Sequence, residues 1–126
     1  MEEFTIYVKN EPGQLAKVCD TLYRNGVNIE SLATEGTRKD GTIKMVTNDV
    51  VTTKKALEKE KIPFETKEVL VVKIINRPGE LAKITKKIGL ESVNIESVYM
   101  FTDEKFALRV DDTRKTREIL KEDLFE

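Results

Sequence analysis

The chain contains one passage twice. Asn10–Ser31 reads NEPGQLAKVCDTLYRNGVNIES and Asn76–Ser97 reads NRPGELAKITKKIGLESVNIES, at a constant offset of 66 residues. Between Val8 and Ser31, 11 of 24 positions match their partners identically, with no gap. Self-similarity of this length means two copies of one folding unit. In 126 residues each copy has roughly 60, and a domain that small buries only about 60% of its unfolded surface. The copies are therefore expected to pack on each other or on a second chain, with domains at 1–68 and 69–126. The identities fall on apolar positions and on two polar points, Asn10/Asn76 and Asn28/Asn94. A paired binding site accounts for that pattern better than a duplicated scaffold alone.

Local patterning gives the same element order in each copy. Phe4-Thr5-Ile6-Tyr7-Val8-Lys9 alternates with period two, which predicts a half-buried strand. Glu11-Pro12-Gly13 ends it, because proline cannot donate to a sheet and holds the preceding residue extended. Leu15, Val18, Cys19 and Leu22 recur at helical spacing, and Asn25-Gly26 closes that helix. A strand is expected from Asn28 to about Glu35, a turn at Lys39-Asp40-Gly41, and a strand from Thr42 to Thr47. Asp49 or Thr52 caps a short helix through Lys59. Pro63 breaks it ahead of a strand over Phe64–Lys67.

The second copy repeats this: strand Val69–Ile75, helix Glu80 to Gly89 or Leu90, strand Asn94–Phe101, a turn over Thr102–Lys105, strand Phe106–Val110, and helix Thr113–Lys121. Its hairpin is three residues shorter, so that Asn48 corresponds to Asp111. Only Asp123-Leu124-Phe125-Glu126 follows the last helix, enough for a stub of the fourth strand. The fold class is α+β: two ferredoxin-like βαββαβ units, antiparallel sheets with helices on one face, the second lacking most of its last strand. Val69, Val71 and Ile75 lie on the strand face opposite Leu70, Val72 and Ile74, which predicts coverage on both sides. An unpaired edge beside that strand would favour a homodimer.

Composition excludes several functions. Lys and Arg number 22 against 23 Asp and Glu, interspersed, with no one-signed stripe of the kind that binds nucleic acid. Histidine is absent, which removes the commonest general base and the commonest transition-metal ligand. One cysteine, Cys19, forbids an internal disulfide and reads as a buried thiol. No nucleophile–base pair, metal cluster or phosphate loop is found; the expectation is no catalysis, no metal and no cofactor. Asp111-Asp112 reads as a helix cap. No stretch resembles a signal peptide or a membrane span, so a cytoplasmic location is expected.

Asn-x-Pro-Gly-x-Leu-Ala after a strand, with Val-Asn-Ile opening the next, resembles the ACT domain, a small amino-acid-sensing regulatory module. The pattern stands at Asn10, Pro12, Gly13, Leu15 with Asn28 and Ile29, and again at Asn76, Pro78, Gly79, Leu81 with Asn94 and Ile95. The resemblance implies a tandem ACT protein that binds a free amino acid at ACT–ACT interfaces and modulates an enzyme or regulator of amino-acid metabolism in trans. An interaction or dimerisation subunit without a small ligand is the alternative. The asparagines take the places of those that hold serine in the serine-sensing members. Val8 or Ile74 stands where those members carry a histidine, which implies a more apolar ligand.

The residue types suit that chemistry. An asparagine amide offers an acceptor and two donors without a charge of its own, so it can face a zwitterion. Gly13 and Gly79 let backbone approach a ligand closely. Free N–H groups at the helix starts, near Gln14-Leu15 and Glu80-Leu81, favour a carboxylate, and Glu80 could attract an ammonium. In βαβ the first two strands run parallel, so Asn10 and Asn28 fall at opposite ends of one unit. Composite pairs are then expected, Asn10 with Asn94 and Asn76 with Asn28, or Asn10 with Asn28 between two chains.

Overall fold

Residues 1–125 are described by the computed structural model. Two compact units emerge, Met1–Lys67 and Glu68–Glu126. The first contains β1 (Glu2–Lys9), α1 (Gln14–Arg24), β2 (Ile29–Thr37), β3 (Asp40–Thr47), α2 (Val50–Lys59) and β4 (Phe64–Glu68). Its sheet has the order β2-β3-β1-β4, with β3 antiparallel to both β1 and β2. The second unit contains β5 (Leu70–Lys73), α3 (Glu80–Gly89), β6 (Ile95–Met100), β7 (Lys105–Val110) and α4 (Thr113–Ile119), in a sheet of order β5-β7-β6.

Alternation in β1 fixes which face meets the helices. Phe4 opposes Met45 and Ile6 opposes Ile43, so four apolar side chains share one face. Val18 and Leu22 of α1 and Ala56 and Leu57 of α2 close over them in one cluster. Each of these side chains larger than Ala56 contributes about 1.5–3 kcal/mol. The second core repeats the plan with Val72, Phe106 and Leu108 from the strands and Ile84, Ile88 and Leu120 from the helical segments.

Both second helices start with the same device. Asp49 caps α2 by accepting from the Thr52 N–H at 3.0 Å, and Asp112 caps α4 by accepting from the Lys115 N–H at 3.0 Å. One turn on, the buried Thr53 and Thr116 hydroxyls donate to the carbonyls of Asp49 and Asp112 at 2.7 and 2.8 Å. The cap is thus Asp49 rather than Thr52, because an aspartate ahead of the helix reaches the open N–H groups of its first turn.

Several expectations need correction. The first hairpin turns at Arg38-Lys39, not Lys39-Asp40-Gly41, because strand pairing continues through Thr37 and Asp40. Arg38 takes a left-handed φ of 60° to allow it. Leu15 was expected in the core but is 37% exposed; the core stripe of α1 begins one turn later, at Val18. Cys19 is only partly buried, since the neighbouring Val18 takes the inward position. The helix α4 ends at Ile119, short of Lys121.

The last strand survives as three residues. Lys73 donates its N–H to Asp123 at 2.8 Å, Phe125 donates to Val71 at 2.8 Å, and Leu124 bridges Val72 antiparallel. In the first unit Tyr7 donates to Pro63 at 3.1 Å. Asp123 therefore stands where Pro63 stands, and Leu124 where Phe64 stands. Phe64 and Leu124 each pack, partly buried, against their own core. The edge expected to lie open beside β5 is closed along this stretch, which weakens the open-edge argument for a homodimer. Glu126 lies outside the described residues. Val69 is buried and Val71 half-buried, but Ile75 is 53% exposed, so the expected two-sided coverage does not extend to Ile75.

Candidate functional site

Each Pro-Gly turn delivers the chain from a strand into a helix in the same way. Gly13 has φ 89°, ψ −9° and Gly79 has φ 89°, ψ −18°, and neither helix has a side-chain cap. L-residues avoid that left-handed region, which is the first reason for glycine here. The second is space: beyond the adjoining residues of the chain, no atom lies within 4 Å of where a Cβ would be at either glycine. Each helix start is thus open on its glycine side. Pro12 and Pro78 are exposed.

Asn10 sits at the junction of β1 with the β2–β3 hairpin. Its backbone N–H donates to the Lys39 carbonyl at 2.8 Å, and its side-chain Nδ2 donates to the Arg38 carbonyl at 3.0 Å. One asparagine so holds both residues of a turn that contains no glycine. Its carboxamide lies over Gly36, where any Cβ would collide with it. Beside it a hollow of about 100 Å³ is bordered by Gln14, Leu15, Gly36, Gly41 and Ile43. Liquid water takes about 30 Å³ per molecule, so the hollow has room for a small ligand group.

The second copy reverses this arrangement. Its hairpin is shorter, and Glu104, at φ 57° in the turn, reaches back with Oε2 to accept the Asn76 N–H at 3.1 Å. A carboxylate so replaces the Lys39 carbonyl, and among the described residues the Asn76 side chain makes no hydrogen bond. Glu80 was expected to be available to an ammonium. It is instead engaged by Arg77 at 2.8 Å and Lys83 at 3.6 Å. The hydrogen bond from Arg77, and then the charge of Lys83, hold its carboxyl below the usual glutamate range. Gln14 carries no such charge, and the two helix starts are chemically unequal.

Asn28 and Asn94 open β2 and β6 at the far end of each sheet. The Asn28 N–H donates to Asn48 Oδ1 at 2.9 Å, and the Asn48 N–H returns to the Asn28 carbonyl at 3.1 Å. Asn94 has the same pair with Asp111, at 2.9 and 3.0 Å. The side chain of Asn28 reaches Glu30 at 3.3 Å. That of Asn94 makes no hydrogen bond among the described residues. Ile29 and Ile95 pack against their cores, as does Leu81. Asn28 and Ile29 border an open hollow with Cys19, Tyr23 and Gly26.

Strand β3 measures the distance between the two asparagines. Lys39 lies beside Asn10 and Asn48 beside Asn28, which at ~3.3 Å per residue is about 30 Å. In the second unit Glu104 beside Asn76 and Asp111 beside Asn94 are seven residues apart, about 23 Å at the same rise. No unit lets its own two asparagines share one small ligand. The clasp residues Asn48 and Asp111, the turn residue Glu104 and the Asn10–Gly36 fit were not singled out as site features in the sequence. The three-residue difference that aligns Asn48 with Asp111 was the available signal.

Among the described residues no cluster of His, Cys, Asp and Glu could hold a metal ion, and no helix is long and apolar enough to cross a membrane.

The family model of the ACT domain matches residues 4–61, within the first unit. Among solved structures, protein BT0572 from Bacteroides thetaiotaomicron superposes with a TM-score of 0.90 at 26% identity, covering 98% of this chain and 90% of that one. The ligand-free regulatory subunit of aspartate kinase from Thermus thermophilus gives 0.65 at 17% identity, over 95% of this chain and 87% of that one. The same regulatory subunit from Thermus flavus gives 0.61 at 15% identity, over 95% and 88%. At such identities the two regulatory subunits show a shared fold. No curated protein matches the sequence significantly.

Proposed function

We propose that this chain is a tandem ACT protein, a non-catalytic regulator that binds a free amino acid and modulates an enzyme or regulator of amino-acid metabolism in trans. The observation that carries the reading is the doubled turn: the same uncapped helix start, opened by a glycine at φ 89°, follows an asparagine in both copies. Such a start favours a carboxylate, and Asn10 or Asn76 stands next to it. Asn28 and Asn94, about 20–30 Å away along the strands, would complete a site only from a second ACT surface. Between two chains, Asn10 of one copy would face Asn28 of the other. Ligand binding would then bias the geometry of a dimer, which is how a small molecule acts on a distant partner. The relatives that are regulatory subunits of aspartate kinase support a regulatory role, and a metabolic enzyme is the partner this reading calls for. A calorimetric screen of the twenty amino acids against the full chain tests it. Binding tighter than about 1 mM is expected, with loss on replacing Asn28 and Asn94 by alanine. A folded protein that binds none at that level would end the proposal.

One observation favours an interaction subunit without a small ligand. Val98 and Met100 stand exposed on β6, an edge strand of its sheet, and exposed apolar edges mark partner surfaces. Under that reading Val98→Lys abolishes self-association or enzyme docking, while the asparagine variants change nothing.

A further inference from the structure

A larger hollow, of about 580 Å³, lies on the first unit at the ends of β1, β2 and β3. It borders Tyr7, Lys9, Glu35, Asp40 and Thr42 but does not include Asn10. Register places these side chains together. Glu35, Thr42 and Tyr7 form one rung across three strands. Lys9 faces Asp40 on the rung two residues along. Residues two apart point to the same face, and the core residues Phe4 and Ile6 show which face the helices cover. This rung therefore belongs to the sheet face turned away from the helices.

The charges in this hollow are unspent. Lys9 and Asp40 oppose each other in register, a placement that ordinarily gives a cross-strand ion pair. Among the described residues, however, the Lys9, Glu35 and Asp40 side chains make neither an ion pair nor a hydrogen bond. The Tyr7 hydroxyl donates to Glu65 at 3.1 Å, and the residue is 42% exposed.

The second copy offers a control within the same chain. Lys73, Ile74 and Ile75 with Asp103, Glu104 and Lys105 border the equivalent hollow, of about 260 Å³. There the charges are already spent. Lys105 pairs with Asp103 at 2.8 Å, and the Lys73 and Lys105 ammonium groups lie 5.3 and 3.8 Å from the centre of the Phe125 ring. Phe125 stands where Glu65 stands in the first unit. One copy is thus closed on itself, and the other presents an ammonium, two carboxylates and an aromatic ring to an open space.

We propose that this hollow of the first unit binds a zwitterionic amino acid with a large apolar or aromatic side chain. The ligand carboxylate pairs with Lys9, its ammonium with Glu35 and Asp40, and its side chain lies on the Tyr7 ring. The hollow adjoins the one beside Asn10, sharing Val8, Lys9, Glu35 and Gly41 with it, but the proposed contacts use no asparagine amide. The hollow beside Asn10, about 100 Å³, is much the smaller of the two.

The chain contains no tryptophan, so the fluorescence of an indole ligand can be read directly on the intact protein. L-Tryptophan is titrated beside tryptamine, which lacks the carboxylate, and indole-3-propionate, which lacks the ammonium. Saturable binding of L-tryptophan is expected, with each truncated probe weaker by about tenfold. Lys9→Met removes the advantage of L-tryptophan over tryptamine. Glu35→Gln with Asp40→Asn removes its advantage over indole-3-propionate. Loss of L-tryptophan binding in Asn28→Ala, with Lys9→Met unaffected, would assign that binding to the asparagines and overturn this proposal, so the two readings are distinguishable. Amide shifts in an NMR titration should centre on Lys9, Asp40 and Thr42. The proposal is overturned by the absence of saturation up to about 10 mM, by affinities that ignore the Lys9 and Asp40 substitutions in folded variants, or by shifts confined to Tyr23–Ile29 or Asn76–Leu81.

Discussion

Asn48 and Asn28 exchange two hydrogen bonds: the Asn28 N–H donates to Asn48 Oδ1 at 2.9 Å, and the Asn48 N–H donates to the Asn28 carbonyl at 3.1 Å. Asp111 does the same for Asn94. The clasp needs only a side-chain oxygen one carbon beyond Cβ. Asn48→Asp and Asp111→Asn are therefore expected to leave urea midpoints nearly unchanged. Alanine at either position should lower stability by about 1 kcal/mol, the usual net worth of such a bond. Equal losses for the conservative and alanine changes would show that the clasp does not matter.

Gly36 and Asn10 compete for one volume. Gly36→Ala is expected to cost about 1–3 kcal/mol, because the new methyl group forces the Asn10 carboxamide aside and breaks its hold on the Arg38 carbonyl. The double variant Asn10→Ala, Gly36→Ala removes the collision. It should be less destabilised than the sum of the single changes, and denaturant melts of the four proteins measure that coupling. Strict additivity would contradict the fit.

Gly13→Ala and Gly79→Ala test the turns without touching any neighbour, since the space above both is empty. The cost is backbone strain alone, about 1–2 kcal/mol at each. Both proteins should melt lower by a similar amount. A change that left either melting temperature intact would show that the left-handed turn is not required.

Three carboxyl groups held below their ordinary range contribute to acid stability. Hydrogen bonds from Arg77 lower Glu80, those from Thr52 lower Asp49, and those from Lys105 lower Asp103. A group whose pKa is lower folded than unfolded contributes stability above the unfolded value, and that contribution is lost as pH falls through the folded one. The unfolded values are 4.5 for Glu and 3.8 for Asp. Urea midpoints should therefore stay level down to about pH 5 and fall below about pH 4. Glu80→Gln should flatten part of that fall. With no histidine in the chain, no histidine step is expected near neutrality. A steep loss between about pH 6 and pH 7 would contradict this account.

Much of the fold was legible because two signals agreed in two places. Period-two alternation at Phe4, Ile6 and Val8 and helical spacing at Val18 and Leu22 give the layers, and the repeat gives them twice. The opposite-end placement of Asn10 and Asn28 also followed from the parallel run of the first two strands in βαβ. What was not legible depends on contacts between residues far apart in sequence. Leu15 has the spacing of a core residue but lies beside a hollow that only the folded hairpin creates. The turn at Arg38-Lys39 contains no glycine and is held by Asn10, 28 residues earlier. Glu80 reads as a free carboxylate until Arg77, from the turn ahead of the helix, and Lys83, on its first turn, are brought against it.

The spacing between corresponding residues drifts along the chain: 66 from Asn10 to Asn76, 63 from Asp49 to Asp112, and 60 from Pro63 to Asp123. Each step of three falls where the backbone leaves its ladder, once at a hairpin tip and once at a helix end. Between those points the central rungs, from Phe4↔Met45 to Tyr7↔Thr42, recur as Leu70↔Leu108 to Lys73↔Lys105, and the aspartate cap and the clasp are preserved. Shortening has altered the rim of the second module while sparing its frame, and a rim is the part that another molecule touches. A partner meeting both modules would find one scaffold presenting two different faces.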